Sequence, residues 1–346
     1  MYFSILSPAF WAPSALRSPS QISRLMMILL LCNALSSIVG ILQVFRPETF
    51  NPPVIPAMNN IFGGADMFYE GSDGRKIMRP CGLTDSPGAV APAGQAAALM
   101  GLCWALLPLP LWKRGLAVAL AFAGIAVIYY TQVRFSFVML AICLTTLTAL
   151  LVLQRDIRKA ALLSTLAITL LIAAFAWVAT SAGDAMVNRF MTLFTSEPGK
   201  LYGESRGNFV QETFEVLIWD HPLGYGMGWW GMINAIFGSP SRPSPIWCEV
   251  MIPAWVFDGG IPLLIAYSMA IVVTMLDSFR IARTSKDPAI AYWASVIIAY
   301  NLSIVATCFS YVTFLSPLGF PFWLLSAALH AADAQTRAAA RSSRVS

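Results

Sequence analysis

LAVALAFAGIAVIYYTQVRFSFVMLAICLTTLTALLVL, residues 116–153, holds a single charged side chain, Arg134. Apolar runs flank it, Leu116–Thr131 on one side and Phe135–Leu153 on the other. A bilayer core is crossed by roughly 20 predominantly apolar helical residues. Neither run alternates over the ~10 residues of a membrane β-strand. The stretch therefore reads as two helical membrane spans joined at an almost loopless turn, with a cation on the turn.

The pattern repeats outward. The 346 residues are 58% hydrophobic and 11% charged, with a mean hydropathy of +0.68, whereas a soluble domain carries about 25% charged residues. Further apolar runs lie at Leu25–Phe45, Ala89–Trp112, Ala160–Ala179, about Trp247–Leu276, Ala289–Phe309 and Leu315–Ala331. The expected fold class is all-α: a polytopic transmembrane helix bundle of about eight spans, with residues 1–346 as a single membrane domain. Two long polar stretches interrupt it, 46–88 and 180–246. The second should carry a short amphipathic helix. No cleavable signal sequence is expected, because Pro8 and Pro13 break the apolar stretch in the first residues. No repeat of fixed period is seen.

Lys and Arg orient the spans. Arg17 and Arg24 precede the first. Lys113 and Arg114 follow the second. Arg155, Arg158 and Lys159 follow the fourth, Arg280, Arg283 and Lys286 the sixth, and Arg337, Arg341 and Arg344 end the chain. Eight spans put all these groups, and both termini, on the cytoplasmic side, and both polar stretches outside. Shifting the count by one would scatter them. The net charge of +5 is thereby accounted for without nucleic acid. The six cysteines have no metal-ligand spacing; Cys81 and Cys248 sit on the loop side, where a disulfide is one option. No pair of carboxylates suits a metal, so none is expected.

The large polar stretch contains GESRGNFVQETFEVLIWDHPLGYGMGWWG, residues 203–231. Phe209, Thr213, Val216 and Trp219 recur at helical spacing opposite Gln211, Glu212 and Glu215, which predicts a helix over Asn208–Asp220. His221-Pro222 ends it. The glycines at alternate positions in GYGMG predict backbone packed close to something.

Candidates for chemistry follow from charge in the wrong place. A cation buried at membrane depth is unfavourable by ~2.5 kcal/mol or more, so Arg134 either snorkels to the interface or serves a purpose. Arg206 is a solvated loop cation or, beside Arg134, the second half of a forked clamp for a diphosphate. Glu249, opening the sixth span beside Trp247, either favours a helix N-terminus or acts as a general base raised by partial burial. His221 is a cap and turn residue or a base. Arg79 is a loop residue or a third phosphate contact.

These residues, in this order, resemble the O-antigen ligase and polysaccharide polymerase superfamily of bacterial inner-membrane proteins. The resemblance runs from about Leu29 to Leu264. It rests on the first span ending in Gln43, on RPCGLTDSPGAVA (79–91) as an outer loop with Arg-x-x-Gly, and on the turn at Arg134. It continues with Arg206 followed by a helix and HPLGYGMG, and with EVMIPAWVFDGG (249–260). It implies transfer of a glycan from an undecaprenyl-diphosphate-linked oligosaccharide to a sugar hydroxyl of an acceptor glycan or lipid-linked glycan, outside the bacterial cytoplasmic membrane. It implies no metal and no cofactor. Arg134 and Arg206 take the diphosphate-holding role, and Glu249 falls where the family has a loop histidine. That departure points to a polymerase-like member. Arg79, His221 and Trp247 become substrate-binding candidates, membrane lipid the surroundings, and a flippase and a chain-length regulator the expected partners. Family members carry further spans before the one ending at Gln43, so a short form is expected. Two other readings stay open: a transporter or flippase of lipid-linked sugars, for which a broken sixth span would serve, and a non-catalytic subunit of an assembly complex.

Overall fold

The computed structural model describes residues 1–51, 68–70, 76–84, 86–182, 202–229 and 250–345. In chain order the elements are α1 (Tyr2–Leu6), α2 (Pro8–Ala15), α3 (Pro19–Phe45), α4 (Pro47–Phe50), β1 (Phe68–Glu70), β2 (Lys76–Met78), α5 (Ala91–Ala105), α6 (Leu111–Thr131), α7 (Arg134–Leu153), α8 (Ile157–Ala182), α9 (203–220), α10 (Met251–Thr284), α11 (Pro288–Thr307) and α12 (Phe320–Val345). Six of them, α3, α6, α7, α8, α10 and α11, are long and apolar enough to cross a membrane. The protein is a mostly helical membrane protein.

Two expected spans take a different form. The run Ala89–Trp112 divides: α5 ends at Ala105, and α6 begins at Leu111 with Pro110 as its N-cap. Pro108 and Pro110 lack the N–H that would continue the first helix. Leu315–Ala331 begins late, because Thr313–Leu315 and Pro317–Gly319 are tight three-residue turns before α12. The all-helical expectation also gains an exception. Phe68–Glu70 and Lys76–Met78 pair antiparallel, Tyr69 opposite Ile77.

The chain divides into two compact units, Ser23–Ser196 and a split unit of Met1–Ile22 with Glu197–Ser346. In the continuous unit α5 is the axis, and only its Pro92 and Ala93 escape burial. It lies against α6 at backbone distance. A Cβ on Gly94 would fall 2.6 Å from the Gly124 carbonyl oxygen, and one on Gly101 2.6 Å from that of Ala117. Small residues of this kind let membrane helices approach closely. At one end of this unit Arg114 Nε donates to the Ala105 carbonyl, 2.9 Å, capping α5. Lys159 pairs with Asp156 at 2.6 Å at the turn between α7 and α8. Arg134 opens α7 at the other end.

In the split unit Trp255, Tyr267, Phe314, Phe322 and Trp323 form a buried aromatic core. Burial of several rings of this size dominates the local energetics. α10 is bent at Gly260, whose φ of 63° and ψ of −155° are not helical, with Pro262 two residues on. At its far end Asp277 holds Arg280 at 2.5 Å and His330 at 3.0 Å. Tyr2 bonds instead to Asp258, near the start of α10. Tyr2 and the basic end of α12 thus occupy opposite ends of this unit.

Candidate functional site

The turn at Arg134 is built from three segments of the continuous unit. α6 ends in a left-handed residue, Gln132, with φ 56° and ψ 21°. Its N–H donates to the Tyr129 carbonyl at 3.1 Å. Thr131 Oγ1 accepts from the Val133 N–H at 3.3 Å, and α7 starts at the next residue, Arg134. Arg134 is half-buried. It stands at a helix N-terminus, where unpaired N–H groups carry partial positive charge.

The RPCG turn packs on this helix end. Gln43, 3% exposed at the end of α3, accepts from the N–H groups of Cys81 and Gly82, both at 2.8 Å, and donates to the Gly82 carbonyl at 3.0 Å. The Gly88 N–H reaches back to the Pro80 carbonyl at 3.0 Å. A Cβ on Gly88 would lie 3.4 Å from the Val133 side chain. Arg79 is thereby placed at the same end of the unit as Arg134. Tyr69 on β1 belongs here too: burial, and then the neighbouring Tyr130 phenol, push its ionisation well above the usual tyrosine range.

Three polar atoms in this region are buried without a hydrogen-bond partner: Tyr69 OH, Arg79 Nε and Gln132 Nε2. Tyr69 is 8% and Gln132 3% exposed. Tyr130, two residues before Gln132, shares a 2.6 Å hydrogen bond with Ser181 Oγ, and its ring meets Trp177 edge-on at 5.8 Å.

The split unit carries the other candidates. α9 spans 203–220 and alternates π and α turns, the π turns being Gly203–Gly207 and Thr213–Leu217. The predicted helix is present and one turn longer. Thr213 and Ile218 are buried, with Val210 and Leu217 against the core, while Phe209, Val216 and Trp219 are exposed. A π turn bonds i to i+5, so the 3.6-residue count drifts off the true face after each one. Arg206 donates from Nη1 to the Ser310 hydroxyl, and the Tyr202 hydroxyl donates to the Phe309 carbonyl at 2.8 Å. These bonds tie the start of α9 to the connection after α11.

His221 terminates α9, its N–H bonded to the Leu217 carbonyl at 3.0 Å. Its ring stacks on Tyr225 with centroids 3.9 Å apart and shares a 2.5 Å hydrogen bond with the Tyr225 hydroxyl. This is the cap and turn geometry. The turn then locks into the bend of α10. The Ile261 N–H donates to the Pro222 carbonyl at 2.9 Å, and the Tyr225 N–H to the Phe257 carbonyl at 2.7 Å. Gly224, at φ +74°, would meet the Gly260 backbone nitrogen at 2.7 Å if it carried a Cβ. The expected close backbone packing therefore has a named partner.

Asp258 is the residue that sequence reading missed. It is 3% exposed and accepts from the Tyr2 hydroxyl at 2.9 Å and the Gly228 N–H at 3.1 Å. Burial, and then the Asp258 charge, push the Tyr2 phenol far above its ordinary range. The signal was present: a lone carboxylate ahead of a Gly pair inside an apolar run must be paired or functional. Gln132 and Tyr69 gave no signal, because neither is charged. Trp247 and Glu249 lie outside the described residues, and so does Cys248. Among the described residues no cluster of His, Cys, Asp and Glu could hold a metal ion. Compared with known proteins, the chain matches no family model and no curated protein.

Proposed function

We propose that this protein is a glycosyltransferase that polymerises or ligates undecaprenyl-diphosphate-linked glycan units of a bacterial surface polysaccharide, working without a metal in the cytoplasmic membrane. The observation that carries the reading is the turn at Arg134. A cation heads a membrane helix there, at the end of the unit that also holds Arg79 and a set of buried, unpartnered polar atoms. Such an end is suited to an anion. A guanidinium matches the oxygens of a diphosphate with forked hydrogen bonds.

The reaction in this reading is one displacement. An acceptor hydroxyl oxygen bonds to the anomeric carbon as the bond from that carbon to the diphosphate oxygen breaks. The leaving group departs as undecaprenyl diphosphate, and the acceptor's proton passes to a general base. Arg134 stabilises the charge gathering on the diphosphate, the electrostatic route to catalysis. The eight-span count belongs to this proposal, with α5 and α12 as the two further crossings, and so does a cytoplasmic basic face. On that orientation Tyr2 lies on the outer side with the 202–229 segment.

A second reading is favoured by the bend of α10 at Gly260, since broken helices line transport sites. A transporter moves a lipid-linked sugar between leaflets without extending it. Purified protein in lipid nanodiscs, given undecaprenyl-diphosphate-linked glycan, tests both. The transferase consumes donor and lengthens acceptor with no other protein present. Donor left unextended after long incubation would sink the transferase reading and is the outcome expected of a non-catalytic subunit, whereas leaflet exchange in vesicles would then support the transporter.

A further inference from the structure

We propose that the 202–229 segment is a membrane-surface anchor. α9 and the turn after it lie flat on one edge of the bilayer and sink Trp219, Leu223 and Met227 among the glycerol and upper acyl groups of that leaflet. The partner is the phospholipid surface itself, whatever reaction the protein performs.

Helix lengths set the level of this segment. α11 has 20 residues, about 30 Å of helix, which matches a hydrocarbon core. α10 has 34 residues and would measure about 50 Å if straight. Yet the two helices meet at both ends. Residues 285–287 join α10 to α11, and the Met251 N–H donates to the Cys308 carbonyl at 2.9 Å, just past the end of α11. The bend at Gly260 takes up the excess. From Gly260 to Arg280 α10 already covers about 30 Å, and its first charged side chains beyond the bend are Asp277 and Arg280. The arm Met251–Gly259 therefore turns across the unit at the bilayer edge.

Both ends of α9 are pinned at this edge. At its start Tyr202 and Arg206 bond to Phe309 and Ser310. At its end the Pro222 carbonyl and the Tyr225 N–H bond to Ile261 and Phe257, on either side of the bend. α9 thus runs along the bilayer plane, not through it. Its outward surface is apolar. Trp219 is 74%, Leu223 76% and Met227 66% exposed, and Phe214 and Val216 are exposed beside them. Trp219 Nε1 donates to the Phe214 carbonyl at 3.1 Å, so the exposed indole has no hydrogen left to offer water. Exposed apolar surface on this scale marks an interaction site, and Trp, Leu and Phe at headgroup level suit the membrane interface. Below the bend, Ile265, Met269 and Val272 are exposed on α10, so the apolar surface of the turn continues the one that α10 presents to acyl chains. The charged side chains of 207–229 are Glu212, Glu215 and Asp220. Attraction to anionic lipid therefore plays no part, and the attachment is apolar.

The test is photocrosslinking of the full-length protein in phosphatidylcholine nanodiscs. The photoreactive substitutions Trp219→p-benzoylphenylalanine and Leu223→p-benzoylphenylalanine are irradiated separately and the products read by mass spectrometry, with Met269→p-benzoylphenylalanine as the lipid-facing reference. The expected result is phosphatidylcholine adducts at positions 219 and 223, at a yield within a few-fold of the reference and unchanged between low and high salt. Products within the chain, or with a second copy of it, in place of lipid adducts would overturn the proposal. So would adducts that form only when phosphatidylglycerol is added, since the attachment would then be electrostatic. Hydrogen exchange supplies a second measurement. In the same discs the double variant Trp219→Glu, Leu223→Glu should exchange about tenfold faster over residues 209–228 while 265–276 keep wild-type protection, the mark of a local loss of anchoring in a folded protein. Wild-type exchange over 209–228 in that variant would count against the anchor.

Discussion

Two polar constructions in this protein differ in one respect. In the split unit the 221–228 turn, the bend of α10 and Tyr2 form a closed set: Asp258 has two donors, His221 has Tyr225, and the Pro222 and Phe257 carbonyls have N–H partners. In the continuous unit the mouth of α7 is left open, with Tyr69, Arg79 and Gln132 each holding a buried polar atom without a partner. Both regions combine charge, glycine and aromatic rings, so composition does not distinguish them. Satisfaction does. A closed network fixes geometry, whereas each buried group left unpartnered is unfavourable by about 1–3 kcal/mol until a partner arrives.

The comparison breaks most directly at Arg134. Arg134→Ala should lower glycan transfer by roughly 10²–10³, the effect of removing one preorganised stabiliser of developing charge, with unchanged membrane yield. Chain lengths like wild type would leave the open site without a function. Next comes the closed side. Gly260→Ala places a Cβ 2.1 Å from the Pro222 carbonyl oxygen at a φ of +63°. It should lower stability by about 3 kcal/mol, visible as a large drop in melting temperature and as loosened turn residues in hydrogen exchange.

Two tyrosines then sharpen the contrast. Tyr2→Phe removes a donor from a buried carboxylate and should lower stability by about 1.5–3 kcal/mol. The raised Tyr2 ionisation means that this contribution is complete below the ordinary tyrosine pKa of about 10 and is lost as pH rises beyond it. The gap between wild type and Tyr2→Phe should therefore close in alkali. Tyr69→Phe removes a hydroxyl that has no partner, and unliganded stability should stay within about 0.5 kcal/mol of wild type or rise. Equal losses in both variants would erase the distinction drawn here. The smallest effect is expected at Asp156→Asn. Its carboxyl is held below the usual range by the hydrogen bond from Lys159, yet the pair is exposed enough that the change should stay below about 1 kcal/mol. What it adds is present at neutral pH and fades as pH falls through the depressed pKa.

That two candidate cations share an end of one unit was legible in the sequence. Arg134 and Arg79 read as cations on the non-basic side of the spans, and they do share an end of the continuous unit. The buried face of α9 was not legible, because its π turns change the residue count per turn and periodicity assumes a constant one. Nor was the pairing of Tyr2 with Asp258, which joins residues 256 positions apart.

The sequence by itself determined that this chain is a bundle of apolar helices. Long runs without charge have one low-energy arrangement in lipid, the helix, whose backbone satisfies its own hydrogen bonds. It also determined the break in α10 near Gly260, since glycine acts on local backbone geometry. Only the tertiary structure decided which polar groups are partnered. The charge of Asp258 marks it along the chain as a residue that must be paired, and Gln132 carries no such mark, but neither stretch shows which groups other segments bring to it. The difference lies in what other segments bring to them: a phenol and a backbone N–H to the first, and no acceptor to the second Nε2 among the described residues.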